Sequence, residues 1–245
     1  MSMDLPLKKQ PSFWVIASRE VKSFFFSPVA YIVIALFLAI TGFLFFSTFF
    51  LNKRADMRSF FSILPVLFSF FIPAMTMRIF ADEKRTGTME VLLTLPVTGR
   101  DVVLGKFLGS LISISILLLP TLSYPFTISL AGELDPGVIA GGYIGALFLG
   151  SAFAAIGIFA SIHTDNQIIA FVTAFVICAV LVFMDTFLVL LPANLVKAFQ
   201  YLSAGFHFQN VSRGVLDSRD FVYFISLSGL FLLRTIVQVD DRRNV

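Results

Sequence analysis

The chain has 245 residues, of which 58% are hydrophobic and only 13% are charged, and 31 of them are phenylalanine. Soluble domains usually contain about 25% charged residues, so this composition excludes an ordinary soluble protein and predicts an all-α integral membrane protein. The net charge of +3 is small, and the basic residues lie near the ends of apolar runs. That distribution is typical of charges that orient a membrane protein, and it predicts no nucleic-acid partner.

The first predicted element is an amphipathic helix at residues 12–27, in the sequence PSFWVIASREVKSFFFSP. Its apolar residues recur at helical spacing, but Arg19, Glu20 and Lys22 make it too charged to cross a bilayer. We therefore predict a helix lying in the cytoplasmic interface, in contact with membrane lipid, with Trp14 at the depth of the headgroups. The alternative is a cytoplasmic extension of the first span.

Six apolar runs are long enough to cross a bilayer core, which needs about 20 residues. They lie at residues 29–51, 60–80, 103–130, 138–162, 168–191 and 221–239. An even number of spans places both termini on one side, and that side carries twelve of the 18 Lys and Arg residues. The positive-inside tendency therefore predicts cytoplasmic termini for a multi-pass protein of the cell (inner) membrane. The whole chain, residues 1–245, is predicted to form a single transmembrane domain.

Small residues and prolines modify two of these spans. Pro120 and Pro125 each remove a backbone donor, which predicts a kink in the third span. The fourth span carries a stripe of small residues at spacing four, which favours close helix packing over a substrate path. The stripe consists of Gly142, Ala146, Gly150 and Ala154.

Asp185 is the only acidic residue well inside a predicted span. An intramembrane carboxylate is costly, so this residue is a candidate for function by default. It falls in the outer third of the fifth span, where it could form a structural hydrogen bond, contact the following loop or act directly in transport. That loop, residues 192–220, holds two apolar pieces too short to cross, and these predict re-entrant or interfacial helices on the outer side.

Motifs for chemistry are sparse in the chain. His163 and His207 lie in different loops without a partner pattern for a metal. The stretch from Gly99 to Gly105 and Lys106 has the wrong spacing for a phosphate-binding loop, and Phe107 stands where the motif needs a hydroxyl. We therefore predict no catalytic, cofactor or metal site in this chain, and no ATP site of its own.

The charged segment at residues 81–102, ADEKRTGTMEVLLTLPVTGRDV, follows the second span. Thr86 or Thr88 could cap a short helix, Glu90 suits its first turn, and Pro96 would end it. A helix of this length is marginal alone, so it needs the membrane surface or a partner protein to hold it. The alternative is a solvated charged loop.

Three stretches resemble a known family. DEKRTGTMEVLLTLPVTGRDVVLGKFLG is similar to the cytoplasmic coupling segment of type-2 ABC transporter permeases (ABC-2 type). REVKSFFFSPVAYIVI resembles the connecting helix that enters the first span of that family, and FHFQNVSRGVLDSRDFVYF resembles the end of its outer loop. Together these matches run along the whole chain in order. They look most like the gliding-motility-associated branch and the related copper-maturation (nitrous oxide reductase) permease.

The resemblance implies a non-catalytic permease subunit of an ATP-driven exporter. Such a subunit pairs with a second permease, identical or different, and docks on a cytoplasmic ABC ATPase dimer that carries ATP and Mg. Further envelope proteins are partners that the resemblance also allows. In this reading the ATPase-coupling segment contains Asp82, Glu83, Lys84, Arg85, Gly87, Thr88 and Glu90.

Two other classes of function remain open from the sequence. The first is a secondary transporter built from two inverted three-helix halves, although the halves show no similarity to each other. The second is a membrane scaffold of a motility or envelope complex that does not transport. Neither the cargo nor the direction of transport follows from the residues.

Overall fold

The computed structural model describes residues 12–52, 56–94, 97–130, 132, 134–187, 193–214 and 217–243, and every regular element in these ranges is helical. The α-helices are α1 (Ser12–Phe26), α2 (Pro28–Asn52), α3 (Arg58–Thr76), α4 (Arg78–Arg85), α5 (Thr88–Thr94), α6 (Gly99–Leu118), α7 (Ser123–Ser129), α8 (Pro136–Ile162), α9 (Gln167–Phe183), α10 (Ala193–Leu202), α11 (Ala204–Ser212) and α12 (Ser218–Arg243). A 3-10 turn at Leu119–Leu122 joins α6 to α7.

Five helical segments of the described chain are long and apolar enough to cross a membrane. They are Pro28–Leu51, Arg58–Arg85, Gly99–Ser129, Pro136–Ile162 and Ser218–Arg243. Helix α9 is also apolar but has only 17 residues. The structure therefore supports five full-length candidate spans where the sequence predicted six.

The predicted fifth span, 168–191, ends earlier than expected. Helix α9 stops at Phe183, and residues 188–191 lie outside the described part of the chain. Near this end, the hydroxyl of Ser203, which lies between α10 and α11, donates to the Leu181 carbonyl at 3.4 Å. Asp185 consequently lies in a turn beyond the helix, where its carboxylate accepts from the Thr186 backbone N–H at 3.0 Å. Asp185 thus lies two residues beyond the end of α9, and its position within a membrane span stays a prediction.

The segment 81–102 is more helical than the sequence suggested. Its first residues continue the second span as α4, and its last residues already belong to α6. Helix α6 begins early because Thr98 and Asp101 form a capping box, in which each side chain accepts from the backbone N–H of the other. Only α5 is a separate short helix between them. Its predicted stop, Pro96, lies outside the described residues.

Helix α8 occupies the centre of the bundle. It packs against α3, α6, α9, α11 and α12. A Cβ on Gly142 would lie 2.3 Å from the ring of Phe61, and one on Gly150 would lie 3.1 Å from Ile114. The small-residue stripe therefore serves helix packing, as predicted, because these glycines leave room for bulky side chains of α3 and α6.

Pro120 interrupts the third long segment as expected. The α-helix changes to a 3-10 turn at Leu119–Leu122 and resumes as α7. Proline has no N–H to donate, so the regular ladder cannot pass through it.

The helices define two ends of the bundle. At one end, which we call the charged end, the Lys84 ammonium donates to the Ile162 carbonyl at the end of α8, and Arg243 donates to the Val97 carbonyl at 2.9 Å. These contacts gather α4, the α5–α6 connection, α8 and the end of α12. Helices α10 and α11 lie at the opposite end, where the Val211 side chain packs against Gly145 near the start of α8.

Candidate functional site

A buried ion cluster at the charged end joins α1, α4 and α6. The Lys106 ammonium lies 2.7 Å from a carboxylate oxygen of Glu20 and 2.9 Å from one of Glu83. It also donates to the Ile79 carbonyl at 2.9 Å and lies 4.8 Å from the centre of the Phe80 ring. The Lys106 side chain is only 1% exposed.

The Lys106 ammonium is paired with Glu20 on α1, and with Glu83 and the Ile79 carbonyl on α4. A charge taken out of water is costly unless it is paired and hydrogen-bonded. Lys106 meets that condition through two carboxylates and one carbonyl, contributed by two other helices. Displacing α4 relative to α6 would break a charge-assisted bond to a lysine that is almost fully buried, so the cluster couples the positions of α1, α4 and α6.

Two glycines on α6 bring α1 close enough for this pairing. A Cβ on Gly105 would lie 2.7 Å from the Phe13 carbonyl oxygen, and one on Gly109 would lie 2.7 Å from the Glu20 Cβ. Because glycine has no side chain, the backbones of the two helices can approach. The motif GKFLG, which superficially suggested a phosphate loop, therefore seats α1 and places Lys106 beneath it.

Helix α5 is attached to the bundle along one face only. Met89 and Leu92 are buried in an apolar cluster that also contains Phe80. Glu90 and Val91 point the other way, and Val91 is 63% exposed. The outer face of α5 therefore presents an exposed valine beside an exposed glutamate.

The connection between α4 and α5 is a tight turn. Gly87 has a φ of 70°, in the left-handed region that glycine adopts without strain. The Thr86 hydroxyl donates to the Asp82 carbonyl at 2.8 Å and lies 3.0 Å from the Thr88 hydroxyl. Thr86 therefore closes the end of α4, whereas the sequence suggested it as a cap for α5.

The predicted coupling residues divide into inward and outward groups. Glu83 belongs to the buried cluster, while Asp82 pairs with Arg85 at 3.3 Å and accepts from the Gln167 amide at the start of α9. Lys84 contacts the end of α8, as described above. Gly87, Thr88 and Glu90 are exposed. The segment is therefore anchored by its first half and accessible along its second half.

An open cleft of about 790 Å³ lies beside the exposed half. Its walls come from the α4–α5 turn, the turn between α8 and α9, and the end of α12. Charged and polar side chains of both signs line it, including Lys84, Glu90, His163, Asp165, Asp241 and Arg242. The cleft can receive a polar surface of a partner.

The residues singled out on the first helix also divide into exposed and inward-facing ones. Trp14, Arg19 and Lys22 are exposed, and Trp14 keeps half of its surface accessible. Glu20 instead turns inward to Lys106. The exposed charges suit a helix at a membrane surface, whereas the role of Glu20 as an internal ion partner was not foreseen.

A second buried pair at the opposite end was also missed. His207 Nδ1 lies 2.6 Å from an Asp220 carboxylate oxygen, and Nε2 lies 3.0 Å from the Tyr201 carbonyl. The ring stacks on Tyr223 with centroids 4.2 Å apart. Each ring nitrogen of His207 therefore faces an oxygen atom. Nothing in the spacing of these residues signals the contact.

The described residues contain no group of three or more His, Cys, Asp or Glu side chains arranged to hold a metal ion. Asp185 lies at the opposite end, near Gly205 of α11. It is therefore remote from both the Lys106 cluster and the cleft.

The chain matches the model of a known family. The model of a family described as "ABC-2 family transporter protein" matches residues 14–237, which is most of the chain. No curated protein matches the chain.

Proposed function

Because the chain belongs to the ABC-2 family of transporter proteins, we propose that it is the membrane permease subunit of an ATP-driven exporter. ATP and Mg would bind to a separate cytoplasmic ATPase dimer, which docks at the charged end. The observation that carries this proposal is that α5 has one buried face and one exposed face. Its inner face is fixed in the bundle by Met89 and Leu92, and its outer face presents Glu90 and Val91.

The buried ion cluster would transmit a displacement of α5 to the helices α4, α6 and α1. A displacement of α5 would act on α4 through the short turn at Gly87. Glu83 on α4 would transmit it to Lys106 on α6, and Lys106 would transmit it to Glu20 on α1. In this proposal α1, α4 and α6 move together when the ATPase closes on ATP. The packed interface resists gradual deformation, which favours a switch between two arrangements.

We further propose that α9 completes six crossings. Its 17 residues span about 25 Å at 1.5 Å per residue, close to the thickness of a bilayer core of about 30 Å. Gln167 at its start contacts Asp82 at the charged end, and Leu181 near its finish contacts Ser203 at the opposite end. Six crossings also agree with the arrangement of α1 and the end of α12, which both lie at the charged end.

The other parts of the proposal follow the resemblance. Helix α1 would lie in the cytoplasmic interface, α10 and α11 would lie on the outer side, and both termini would be cytoplasmic in the inner membrane. A second permease subunit would complete the transporter. The gliding-motility-associated branch remains a proposal of the sequence alone.

Docking of the ATPase predicts a specific effect for the outer face of α5. The double variant Glu90→Lys with Val91→Asp should reduce the amount of co-purified ATPase by about tenfold, a size typical of a central contact in an interface. The physical reason is that both side chains are exposed and neither belongs to the core. The measurement is affinity co-purification after co-expression with the ATPase subunits of the same genome.

The matched control for this test is Arg219→Glu. Arg219 is also exposed, and its replacement likewise reverses a charge, but it lies at the opposite end on α12. It should leave ATPase binding unchanged. If the α5 variant, eluting as a monodisperse species, retained the wild-type amount of ATPase, docking on α5 would be wrong.

The proposed topology predicts which loops a membrane-impermeant maleimide can reach. In a background with Cys178→Ser, the variant Asp165→Cys should react only after the cells are opened, because its loop is proposed to be cytoplasmic. Arg219→Cys should react in intact cells. Both native residues are exposed, so accessibility within the protein does not distinguish them. Labelling of both positions in intact cells would exclude six crossings.

A further inference from the structure

A cavity of about 260 Å³ lies beside the buried ion cluster, between α1, the α3–α4 junction and α6. Pockets for drug-sized ligands run from about 300 to 1,000 Å³, so this one suits a small polar group. One part of its wall is apolar, formed by Phe24, Met75 and Ile114. The rest carries charged and hydroxyl side chains. The cavity therefore combines a polar chamber with an apolar flank.

The buried ion cluster of Lys106, Glu20 and Glu83 has one more negative than positive charge, and it lies beside this cavity. Lys106 is shared by Glu20 and Glu83, so two carboxylates face one ammonium. The second carboxylate oxygen of Glu83, Oε2, is buried and has no hydrogen-bond partner within the described structure. A buried acceptor without a donor is costly. Glu20 and Glu83 both line the cavity, so a cationic donor placed there would lie beside two carboxylates that share one ammonium.

Positive charge lies in the same wall. Arg19 on α1 and Arg78 on α4 both line the cavity. Neither takes part in an ion pair with another residue that the structure describes. Guanidinium groups bind phosphate oxygens with good geometry. The cavity thus offers an anion site and a cation site at the same time.

Two hydroxyls add acceptors between these charges. Ser110 and Ser113 donate to carbonyls of their own helix at 3.0 Å each, which leaves their oxygen lone pairs available. Both line the cavity. An ammonium group with several N–H donors could therefore be bound by Glu83 together with a serine oxygen.

We propose that this cavity binds the headgroup of an aminophospholipid, a phosphate ester that also bears a primary ammonium. Arg19 and Arg78 bind the phosphate, the Glu83 carboxylate accepts from the ammonium, and the acyl chains leave along the apolar flank. The inference rests on the proposed membrane embedding, but it does not require an ATPase. The lipid would fill the gap between α1 and α4 and so stabilise the coupled arrangement of the two helices.

The test compares lipids on the purified full-length chain. Delipidated protein in detergent is mixed with equal amounts of phosphatidylethanolamine, phosphatidylcholine and phosphatidylglycerol, and the retained lipid is identified by native mass spectrometry. Phosphatidylethanolamine should exceed each of the others by about tenfold, because each of them lacks the N–H donors for Glu83. Equal retention of the three lipids would overturn the proposal.

Two variants locate the site. The double variant Arg19→Gln with Arg78→Gln should lower the retained amount of all three lipids, because all three carry the phosphate that these guanidinium groups bind. Arg85→Gln, whose side chain is 64% exposed, should leave the retained amounts unchanged. Both variants are checked by size exclusion, and the wild-type comparison of headgroups stands independently of them. A retained amount of lipid unchanged in the double variant would overturn the assignment to this cavity.

A soluble headgroup distinguishes the source of the ligand. Excess glycerophosphoethanolamine should not displace the lipid, because it lacks the acyl chains that contact the apolar flank. Complete displacement would overturn the proposal that the ligand is a lipid, and would assign the cavity to a free phosphate ester. Because no ATPase is present, failure here leaves the co-purification result untouched, and failure of ATPase docking leaves the lipid preference untouched.

Discussion

Replacement of Lys106 with methionine is expected to destabilise the protein more than any surface change. The substitution keeps a side chain of similar length but removes the charge that two carboxylates share. Glu20 and Glu83 would then face each other across a buried site without a cation. Removing one partner of a buried ion pair typically costs about 3–5 kcal/mol. We expect the midpoint of thermal unfolding in detergent to fall by about 6 °C or more.

The control for this prediction is Lys22→Met. Lys22 lies on α1 and is exposed, so the same chemical change should shift the midpoint little. The combination of Lys106→Met with Glu20→Gln and Glu83→Gln should recover most of the loss, because replacing all members of a buried ion cluster leaves no uncompensated charge. A Lys106→Met protein as stable as the Lys22→Met protein would show that the cluster does not hold these helices.

Much of the fold could be predicted because its causes are local. Apolar runs of sufficient length locate the five full-length candidate spans to within a few residues. A proline predicts the interruption at Leu119–Leu122, and small residues at spacing four predict the close packing of α8. The separate helix in the segment 81–102 is likewise visible as an apolar stretch between charged residues. Each of these signals lies within one element.

The remaining features depend on contacts that sequence spacing does not encode. Glu20 and Lys106 are 86 residues apart, and the pair is visible only once the glycines of α6 are seen to admit α1. The Leu181 carbonyl near the end of α9 accepts from Ser203, which lies between α10 and α11. His207 contacts the Asp220 carboxylate because α11 packs against α12. In each case a polar group is satisfied by a distant partner, which a single-chain pattern cannot predict.

The same reasoning separates the two carboxylates that sequence alone would group together. Glu83 and Glu90 both lie in the predicted coupling segment. Glu83 is an internal ion partner and Glu90 is exposed on α5. A variant that removes both would confuse a loss of folding with a loss of docking. The co-purification test therefore changes Glu90 with Val91 and leaves Glu83 intact.

Substitution of Gly157 by alanine is expected to destabilise the junction of α3 and α4 by overpacking. A Cβ at this position would lie 1.9 Å from the Thr76 hydroxyl oxygen and 2.9 Å from its Cβ. Thr76 cannot easily turn away, because its hydroxyl donates to the Ile72 carbonyl at 2.9 Å and a β-branched side chain is stiff at χ1. Overpacking of a core typically costs about 1–3 kcal/mol. Since Thr76 immediately precedes the turn into α4, the shift would also displace Glu83 from Lys106.

Gly229→Ala supplies the matched control for this last prediction. Both glycines lie inside long helices, where alanine is more favourable than glycine by about 1 kcal/mol. A Cβ on Gly229, however, meets nothing within 4 Å. The control should therefore raise the unfolding midpoint while Gly157→Ala lowers it. Adding Thr76→Gly removes both clashing atoms, so a double-mutant cycle should show positive coupling between the two sites. If Gly157→Ala were as stable as Gly229→Ala, the close contact of α8 with Thr76 would not limit how α3 and α4 are positioned.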